Sequence, residues 1–142
     1  MSKIVIASGY FDPLHVGHIE YLKRAAALGD ELIVIVNNNE QTKKKKGYVF
    51  MSQEDRLLIV SELRCVTVAS IAIDKDPTVC KSLKALRCCK PKDELIFAKG
   101  GDRKAYEIPE RQVCERYGIK IVDGLGDKIR SSSQLVKEAK NE

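Results

Sequence analysis

The sequence predicts a single α/β domain in which helices cover both faces of a five-stranded parallel sheet. Short apolar runs alternate with stretches of helical periodicity along the chain, which is typical of parallel strands joined by helical crossovers. The 142 residues suffice to build one hydrophobic core. No internal repeat, linker or low-complexity segment interrupts the alternation, so we expect one domain over residues 1–142.

The strands follow from the apolar runs, and the helices follow from apolar residues at helical spacing. We expect strands at residues 4–7, 31–36, 66–73, 94–98 and 119–122. We expect helices at residues 16–28, from 52 onward, at 76–87, at 110–117 and from 131 or 132 to about 140. Residues 37–50 are polar and rich in lysine, so they are predicted to form a long loop of the kind that is often functional.

Capping residues set several of these helix boundaries. Gly29 follows the first helix and is expected to be its C-cap. Ser52, with Asp55 three residues later, resembles a capping box at the start of the next helix. Pro77 is expected in the first turn of the helix that begins at Asp76.

The composition favours a cytoplasmic protein that acts on small molecules. No apolar run approaches the roughly 20 residues that span a bilayer, and the N-terminus is too short and too soon charged for a secretory signal. Much of the net charge of +5 lies in the run Lys43–Lys46. A nucleic-acid binder would more often spread its basic residues along a face and interleave aromatic ones. We therefore expect no nucleic-acid or membrane partner; the run suits a polyanion such as a triphosphate, or else is a solvated loop.

The five cysteines indicate neither a disulfide framework nor a metal site. Their number is odd and no C-x-x-C pair occurs. Cys65, Cys80 and Cys114 lie on apolar-periodic stretches and are predicted to be small core residues. We expect no metal ligands and no nucleophilic thiol in this chain.

The most informative stretch is Gly9–His18, directly after the first strand. Gly9 permits a tight turn off the strand. His15 and His18, the only two histidines, are three residues apart at a helix start and can share one face. A helix N-terminus attracts phosphate, Gly17 permits close approach, and two imidazoles can stabilise charge that develops at phosphorus. Half of a metal site and an accidental surface pair are the alternatives that the residues themselves leave open.

Candidate site residues follow three of the predicted strands. They occupy residues 9–18, 37–46 and 99–103. In open parallel sheets, ligands bind beyond the carboxyl ends of the strands, at the point where the strand order reverses. We therefore expect these three segments to form one site.

The stretch resembles the G-x-F-D and H-x-G-H signatures of the cytidylyltransferase-like nucleotidylyltransferase superfamily. Gly9, Phe11 and Asp12 match the first element, and His15, Gly17 and His18 match the second. The resemblance implies a Rossmann-like three-layer sandwich. It also implies transfer of a nucleoside monophosphate from a nucleoside triphosphate to a phosphorylated small molecule, with release of pyrophosphate and with Mg²⁺ as the cofactor.

Further matches cover most of the chain. Lysines 44 and 46, the E-x-R element that ends at Arg56, and Arg64 resemble family residues that hold phosphates. The pair Gly101–Asp102 and the run Ser131–Ser133 resemble elements of the nucleotide pocket. By this resemblance the catalytic residues are His15, His18 and Lys46. The nucleotide-binding residues are Gly9, Tyr10, Phe11, Asp12, Gly17, Lys44, Arg56, Arg64, Gly101, Asp102, Arg103, Ser131, Ser132 and Ser133.

The sequence specifies the acceptor and the nucleobase of the triphosphate less well. The motif Ala98–Asp102 resembles that of heptose-1-phosphate adenylyltransferases, and glycerol-3-phosphate cytidylyltransferases are the next most similar. The cytidylyltransferase motif R-T-E-G-I-S-T is replaced here by residues 124–131, which favours adenylyl transfer. A glycerol-3-phosphate-type cytidylyltransferase and a non-catalytic nucleotide-binding regulator are the alternatives.

Two details of the site and the assembly remain open. Asp12 is expected either to orient the nucleotide or a metal-bound water, or to serve a helix N-cap-type role near Leu14. Relatives of this size imply a homodimer, and the apolar residues 66–73 are possible interface material. The same residues are equally compatible with an ordinary buried strand.

Overall fold

A computed structural model describes residues 2–100 and 108–125 of the chain. The predicted last helix and the candidate residues Gly101, Asp102, Arg103 and Ser131–Ser133 lie outside this part. The elements, in chain order, are β1 (Lys3–Gly9), α1 (Val16–Ala26), β2 (Glu31–Val36), α2 (Asn39–Lys46), α3 (Gln53–Ser61), β3 (Val68–Ile71), α4 (Cys80–Cys89), β4 (Glu94–Gly100), α5 (Arg111–Arg116) and β5 (Lys120–Leu125).

The five strands form one sheet in the order β3-β2-β1-β4-β5, and every neighbouring pair is parallel. The chain enters the sheet at β1, moves outward to β3, and then crosses back to β4 on the other side of β1. The strand order therefore reverses between β1 and β4, where open α/β sheets bind their ligands. The segment that follows β1 lies at this point.

Two apolar cores lie on opposite faces of the sheet. Ile4 and Ile6 of β1 belong to the core beneath α4 and α5, whereas Val5 and Ala7 belong to the core beneath α1 and α3. This split follows from the two-residue period of a strand, which points successive side chains to opposite faces. The predicted Rossmann-like sandwich with helices on both faces is therefore confirmed.

The long loop predicted at residues 37–50 is wrong, because residues 39–46 form helix α2. Asn38 accepts a hydrogen bond from the Gln41 amide (2.9 Å), and the Gln41 side chain accepts one from the Asn38 amide (3.0 Å). Gly47, with a φ of +86°, ends the helix in the left-handed conformation that glycine tolerates. The lysines of the last turn suit the negative end of the helix. The helix lacks an apolar stripe, so periodicity alone could not reveal it.

Helix α4 begins four residues later than predicted. The Asp76 carboxylate accepts hydrogen bonds from the amide and the hydroxyl of Thr78, which makes a turn instead of a first helical turn. The Asp74 carboxylate then caps α4 from outside by accepting from the amides of Lys81 (2.7 Å) and Ser82 (3.1 Å). Asp74 is buried, and because it lies outside the helix, seven and eight residues before the amides that it caps, no local capping pattern reveals it.

Two further boundary predictions need correction. Helix α1 ends at Ala26 with Ala27 as its C-cap, so Gly29 is not the cap. Gly29 instead passes close to β1, where an added Cβ would lie 2.7 Å from the Lys3 carbonyl oxygen. Strand β3 spans only Val68–Ile71 and lies at the sheet edge, with Val68 53% exposed, so it is not an ordinary buried strand.

The cysteine prediction holds for one residue of three. Cys114 is fully buried, and burial, as the largest cause, raises the pKa of its thiol to about 12. Cys65 and Cys80 are only partly buried.

Among residues 2–100 and 108–125, no group of three or more His, Cys, Asp or Glu side chains is arranged to hold a metal ion.

Candidate active site

The two histidines form the N-terminal cap of α1. His15 is the N-cap residue, and its Nδ1 accepts a hydrogen bond from the Gly17 amide at 3.0 Å. The Nδ1 of His18 accepts a hydrogen bond from the His15 amide at 3.2 Å. The two rings are stacked, with centroids 3.9 Å apart and planes inclined by 30°. A capping box that normally uses serine and glutamate is here built from two imidazoles.

The hydrogen bonds of this cap determine which ring nitrogen carries the proton when the imidazoles are neutral. A neutral imidazole has one nitrogen that accepts and one that donates. Since both Nδ1 atoms accept from backbone amides, each neutral ring carries its proton on Nε2. Burial, His15 and Lys46 lower the pKa of His18 to about 4, and burial lowers the pKa of His15. Both rings are therefore neutral near pH 7 and act as Nε2–H donors.

The Nε2 atom of His15 is the most informative polar atom of the site. It is buried and has no hydrogen-bond partner within the described part of the chain. Leaving a buried N–H group unpaired costs about 1–3 kcal/mol. An unpaired buried N–H group in a native protein is therefore a candidate donor to a ligand or a water molecule. No acidic residue occupies the first turn of α1, and its positive end therefore stays available to an anion.

Gly9 and Phe11 pack together beside the His15–His18 pair. Phe11 adopts a φ of +52°, which turns its buried ring back over Gly9. A Cβ at residue 9 would lie 2.8 Å from the ring, so glycine is required there by close approach. The rings of Phe11 and His18 meet in a T-shaped contact with centroids 5.1 Å apart. The G-x-F element thus orients His18.

Three of the four lysines at the end of α2 have different partners. The Nζ of Lys46 donates a hydrogen bond to the Asp12 carbonyl oxygen, which places this ammonium group beside the histidine loop. Lys44 instead lies 3.4 Å from the Glu40 carboxylate and donates to the Lys75 carbonyl oxygen. Lys45 lies 5.2 Å from the centroid of the Tyr10 ring. Lys46 therefore joins the histidines, whereas Lys44 does not.

Tyr10 connects the site with a residue that sequence reasoning missed. Burial, and secondly the charge of Glu110, raise the pKa of its phenol. Glu110 is buried and accepts a hydrogen bond from the Val79 amide at 3.3 Å. A carboxylate just before a short helix carries no recognisable signal in the sequence, so only the structure could reveal its effect on the pKa of Tyr10.

The Asp12 carboxylate binds the backbone of the protein itself. It is 3% exposed and accepts hydrogen bonds from the amides of Phe50 (2.9 Å) and Met51 (2.6 Å). Helix α1 is capped by His15, so the N-cap-type role considered for Asp12 is not what the structure shows. Its two oxygens tie the segment before α3 to the loop after β1.

Arg56 is likewise directed into the protein, in contrast to the expectation that it faces phosphates. It is 1% exposed. Its guanidinium donates four hydrogen bonds to neutral acceptors, namely the carbonyl oxygens of Tyr10, Asn37 and Met51 and the side-chain oxygen of Asn39. In this arrangement only one of its five N–H groups remains for any other partner.

Arg64 lies at the opposite edge of the sheet from the histidine pair. It is exposed and follows α3 by three residues. The nearby Thr67 exchanges hydrogen bonds with Leu32, at the start of β2, whereas the histidines follow the end of β1. The six residues of β2 span about 20 Å. The structure therefore separates Arg64 from the histidine pair by the length of the sheet.

Comparison with known proteins supplies the family. A cytidylyltransferase-like family model matches residues 6–137. The chain belongs to this family.

Individual relatives agree with this assignment. The bifunctional protein HldE of Wolinella succinogenes is 33% identical over 138 residues, which are 96% of this chain and 27% of that protein. The chain thus spans about a quarter of the length of this relative. A FAD synthase of Thermoplasma volcanium is 30% identical over 94% of this chain and 92% of its own length.

Solved structures share the fold. A lipopolysaccharide core biosynthesis protein from Thermoplasma volcanium superposes with a TM-score of 0.66 at 30% identity, over 87% of this chain and 96% of that one. A putative nicotinate-nucleotide adenylyltransferase from Vibrio parahaemolyticus reaches 0.61 at 14% identity, over 98% of this chain and 86% of that one, which supports the fold alone. Within the described ranges, every helix is too short or too polar to cross a bilayer.

Proposed function

We propose that this chain transfers a nucleoside monophosphate, preferentially AMP, from a nucleoside triphosphate to a phosphorylated sugar or alcohol. The observation that carries the proposal is the neutral, stacked His15–His18 pair, with a buried and unpaired Nε2 at the positive end of α1. Two preorganised N–H donors beside an ammonium group suit the oxygens of a phosphate that gains charge during transfer.

The chemistry needs no general base. An oxygen of the acceptor phosphate, already deprotonated near pH 7, attacks the α-phosphorus in line. The new phosphorus–oxygen bond forms as the bond from the α-phosphorus to the bridging oxygen breaks, and pyrophosphate leaves. Histidines that are neutral and protonated on Nε2 can donate hydrogen bonds to the transferring phosphate, but they have no need to remove a proton. Catalysis then rests on positioning and charge stabilisation.

Lys46 would neutralise the phosphates as charge builds up during transfer. Its proximity to His18 contributes to the lowered pKa of that ring, which keeps the ring neutral. Mg²⁺ is proposed as the counter-ion of the triphosphate itself. The Asp12 carboxylate already accepts hydrogen bonds from two backbone amides, so we assign no described side chain as a magnesium ligand.

The preference for ATP rests on the sequence between residues 124 and 131, which lacks the cytidylyltransferase motif. A FAD synthase among the relatives, whose product contains adenine, is in keeping with it. A pyrophosphate-release screen of ATP and CTP against heptose 1-phosphate, glycerol 3-phosphate and other phosphorylated acceptors tests the proposal. Release with ATP and a sugar phosphate supports it. Release only with CTP indicates a cytidylyltransferase, and nucleotide binding without release indicates a regulator.

A homodimer in the cytoplasm is the assembly that we propose. Val68 of the edge strand β3 and Leu58 of the adjacent helix α3 are 53% and 62% exposed, which leaves apolar surface on this side of the sheet. Light scattering at micromolar concentration measures the state directly. A mass near the 15.9 kDa of one chain would show a monomer.

A further inference from the structure

Arg56 is a buried cation that joins three loops at the carboxyl edge of the sheet. Its Nη1 donates to the carbonyl oxygens of Tyr10 (2.8 Å), after β1, and Asn37 (2.6 Å), after β2. Its Nε donates to the Met51 carbonyl oxygen (3.0 Å), before α3, and its Nη2 donates to the Asn39 side chain (3.0 Å). A guanidinium presents its donors in a fixed plane, so the three loops must keep one relative arrangement.

Burying the charged guanidinium of Arg56 without an anionic partner costs free energy of folding. Burial lowers the pKa of the Arg56 guanidinium, while the charges of Asp12 and Glu54 oppose that shift. None of its four hydrogen-bond acceptors is charged. Buried charges commonly contribute less to stability than an apolar residue of similar size, and their best-attested use is to fix one arrangement among several.

The loops that Arg56 joins carry the catalytic groups. We define residues 46–51 as the lysine segment. This segment is attached to Asp12 at three points, through the Nζ of Lys46 and the amides of Phe50 and Met51. Arg56 holds the carbonyl side of Met51, so this residue is fixed on both sides. The same guanidinium holds residue 10, at the base of the histidine loop.

From these contacts we propose that Arg56 is a positioning residue, which holds Lys46 in register with His15 and His18 and contacts no phosphate. The proposal rests on the proposed function, because it assigns Arg56 a part in the transfer reaction. It predicts that a change of Arg56 lowers kcat mainly because Lys46 is displaced, so the loss should depend on Lys46 being present. A residue that bound phosphate would act independently of Lys46 and would mainly change the KM for the triphosphate.

A double-mutant cycle separates the two roles. Arg56→Lys keeps the positive charge but loses the planar set of guanidinium donors. We expect kcat to fall roughly 10- to 100-fold with little change in KM, because catalytic groups are displaced. In a Lys46→Ala background the same change should lower kcat less than about threefold, because the group that Arg56 positions is gone. Arg24→Lys, an exposed change in the last turn of α1, is the matched control and should leave kcat unchanged. Equal kcat losses in both backgrounds, or a rise in KM alone, would overturn the proposal.

Hydrogen exchange followed by mass spectrometry provides a readout that does not need turnover. Arg56→Lys should accelerate amide exchange selectively in the lysine segment and in residues 10–12, relative to α4 and α5. Uniform acceleration over the whole protein would show a merely structural residue and overturn the proposal. If Arg56→Lys does not fold, Asn39→Ala removes one acceptor and should give a smaller but equally localised change. A wild-type protein that releases no pyrophosphate with any acceptor would refute the proposed function, while the localised exchange would still decide the role of Arg56.

Discussion

Helices α1 and α4 both begin at the carboxyl edge of the sheet, but their N-termini are capped by different chemistry. The first amides of α4 donate to two carboxylates and a hydroxyl, from Asp74, Glu110 and Thr78. The first amides of α1 meet neutral imidazole nitrogens from its own first turn. Anionic caps cancel the positive end of a helix, whereas neutral caps leave it available. Of these two helices, only α1 can therefore offer its N-terminus to a phosphate.

The difference also explains why histidine is useful as a cap. Serine, threonine, aspartate and asparagine are the usual N-cap residues, and their side chains end at the atom that accepts. An imidazole accepts with Nδ1 and still presents Nε2–H on its far side. His15 and His18 can thus satisfy the helix and donate to a ligand at once.

The largest effect is expected from removing one of the donors. His18→Ala should lower kcat by a factor of 100 or more, equivalent to roughly 3 kcal/mol of transition-state stabilisation. Loss of the hydrogen bond to the His15 amide should cost on the order of 1 kcal/mol of stability, so the protein should still fold. Pyrophosphate release and thermal melting measure the two effects. Release at the wild-type rate by the folded variant would remove His18 from the site.

Changing the charge of the cap sharpens the comparison. His15→Asp gives α1 the anionic type of cap that α4 has, and Asp is among the best N-cap residues. We expect it to preserve the melting temperature within a few degrees and to abolish triphosphate binding, because the carboxylate repels phosphate and neutralises the helix end. His15→Asn is the neutral control, which should cap equally well and retain measurable binding. Equal affinities of the two variants in calorimetry would contradict the electrostatic explanation.

The lysines test whether position or charge matters. Lys46→Ala and Lys43→Ala each remove one positive charge from the same helix turn. Only Lys46 donates a hydrogen bond to the histidine loop, whereas Lys43 is exposed. We expect Lys46→Ala to lower kcat roughly tenfold or more and Lys43→Ala to change it less than about twofold. Steady-state kinetics at constant ionic strength makes this comparison, and equal rates would exclude Lys46 from the reaction.

The smallest effect on activity is expected at the cap of α4. Asp74 accepts hydrogen bonds from two amides and from the Ser82 hydroxyl (2.6 Å), all within the protein. Asp74→Asn replaces one acceptor oxygen by a donor and should cost about 1–3 kcal/mol of unfolding free energy. Denaturant unfolding measures that cost. The kcat of the folded variant should stay within about twofold of wild type, and a larger loss would mean that the two helix N-termini are functionally coupled.

The fold could be predicted because its signals are local. Buried parallel strands require continuous apolar runs, and amphipathic helices require their own spacing, so alternation along the chain fixes the architecture. The segment from Gly9 to His18 is equally self-contained. Its glycine, phenylalanine and histidines contact one another within ten residues, so the spacing indicated a turn and a helix start. The resemblance to the family then supplied the role of the two histidines.

The roles of Arg56, Asp12 and Arg64 depended on which loops the sheet brings together. Arg56 binds a carbonyl oxygen 46 residues earlier, and Asp12 binds amides 38 and 39 residues later. A charged side chain in the sequence can face a phosphate or a buried carbonyl group, and only the tertiary packing chooses between them. Helix α2 was missed for a related reason, because its buried Gln41 donates to the carbonyl oxygens of Asp76 and Thr78, far along the chain. The sequence by itself determined the layers and the histidine pair, since neighbouring residues make both. The tertiary structure decided which charges the protein uses internally and which remain for a ligand, because that depends on contacts between distant segments.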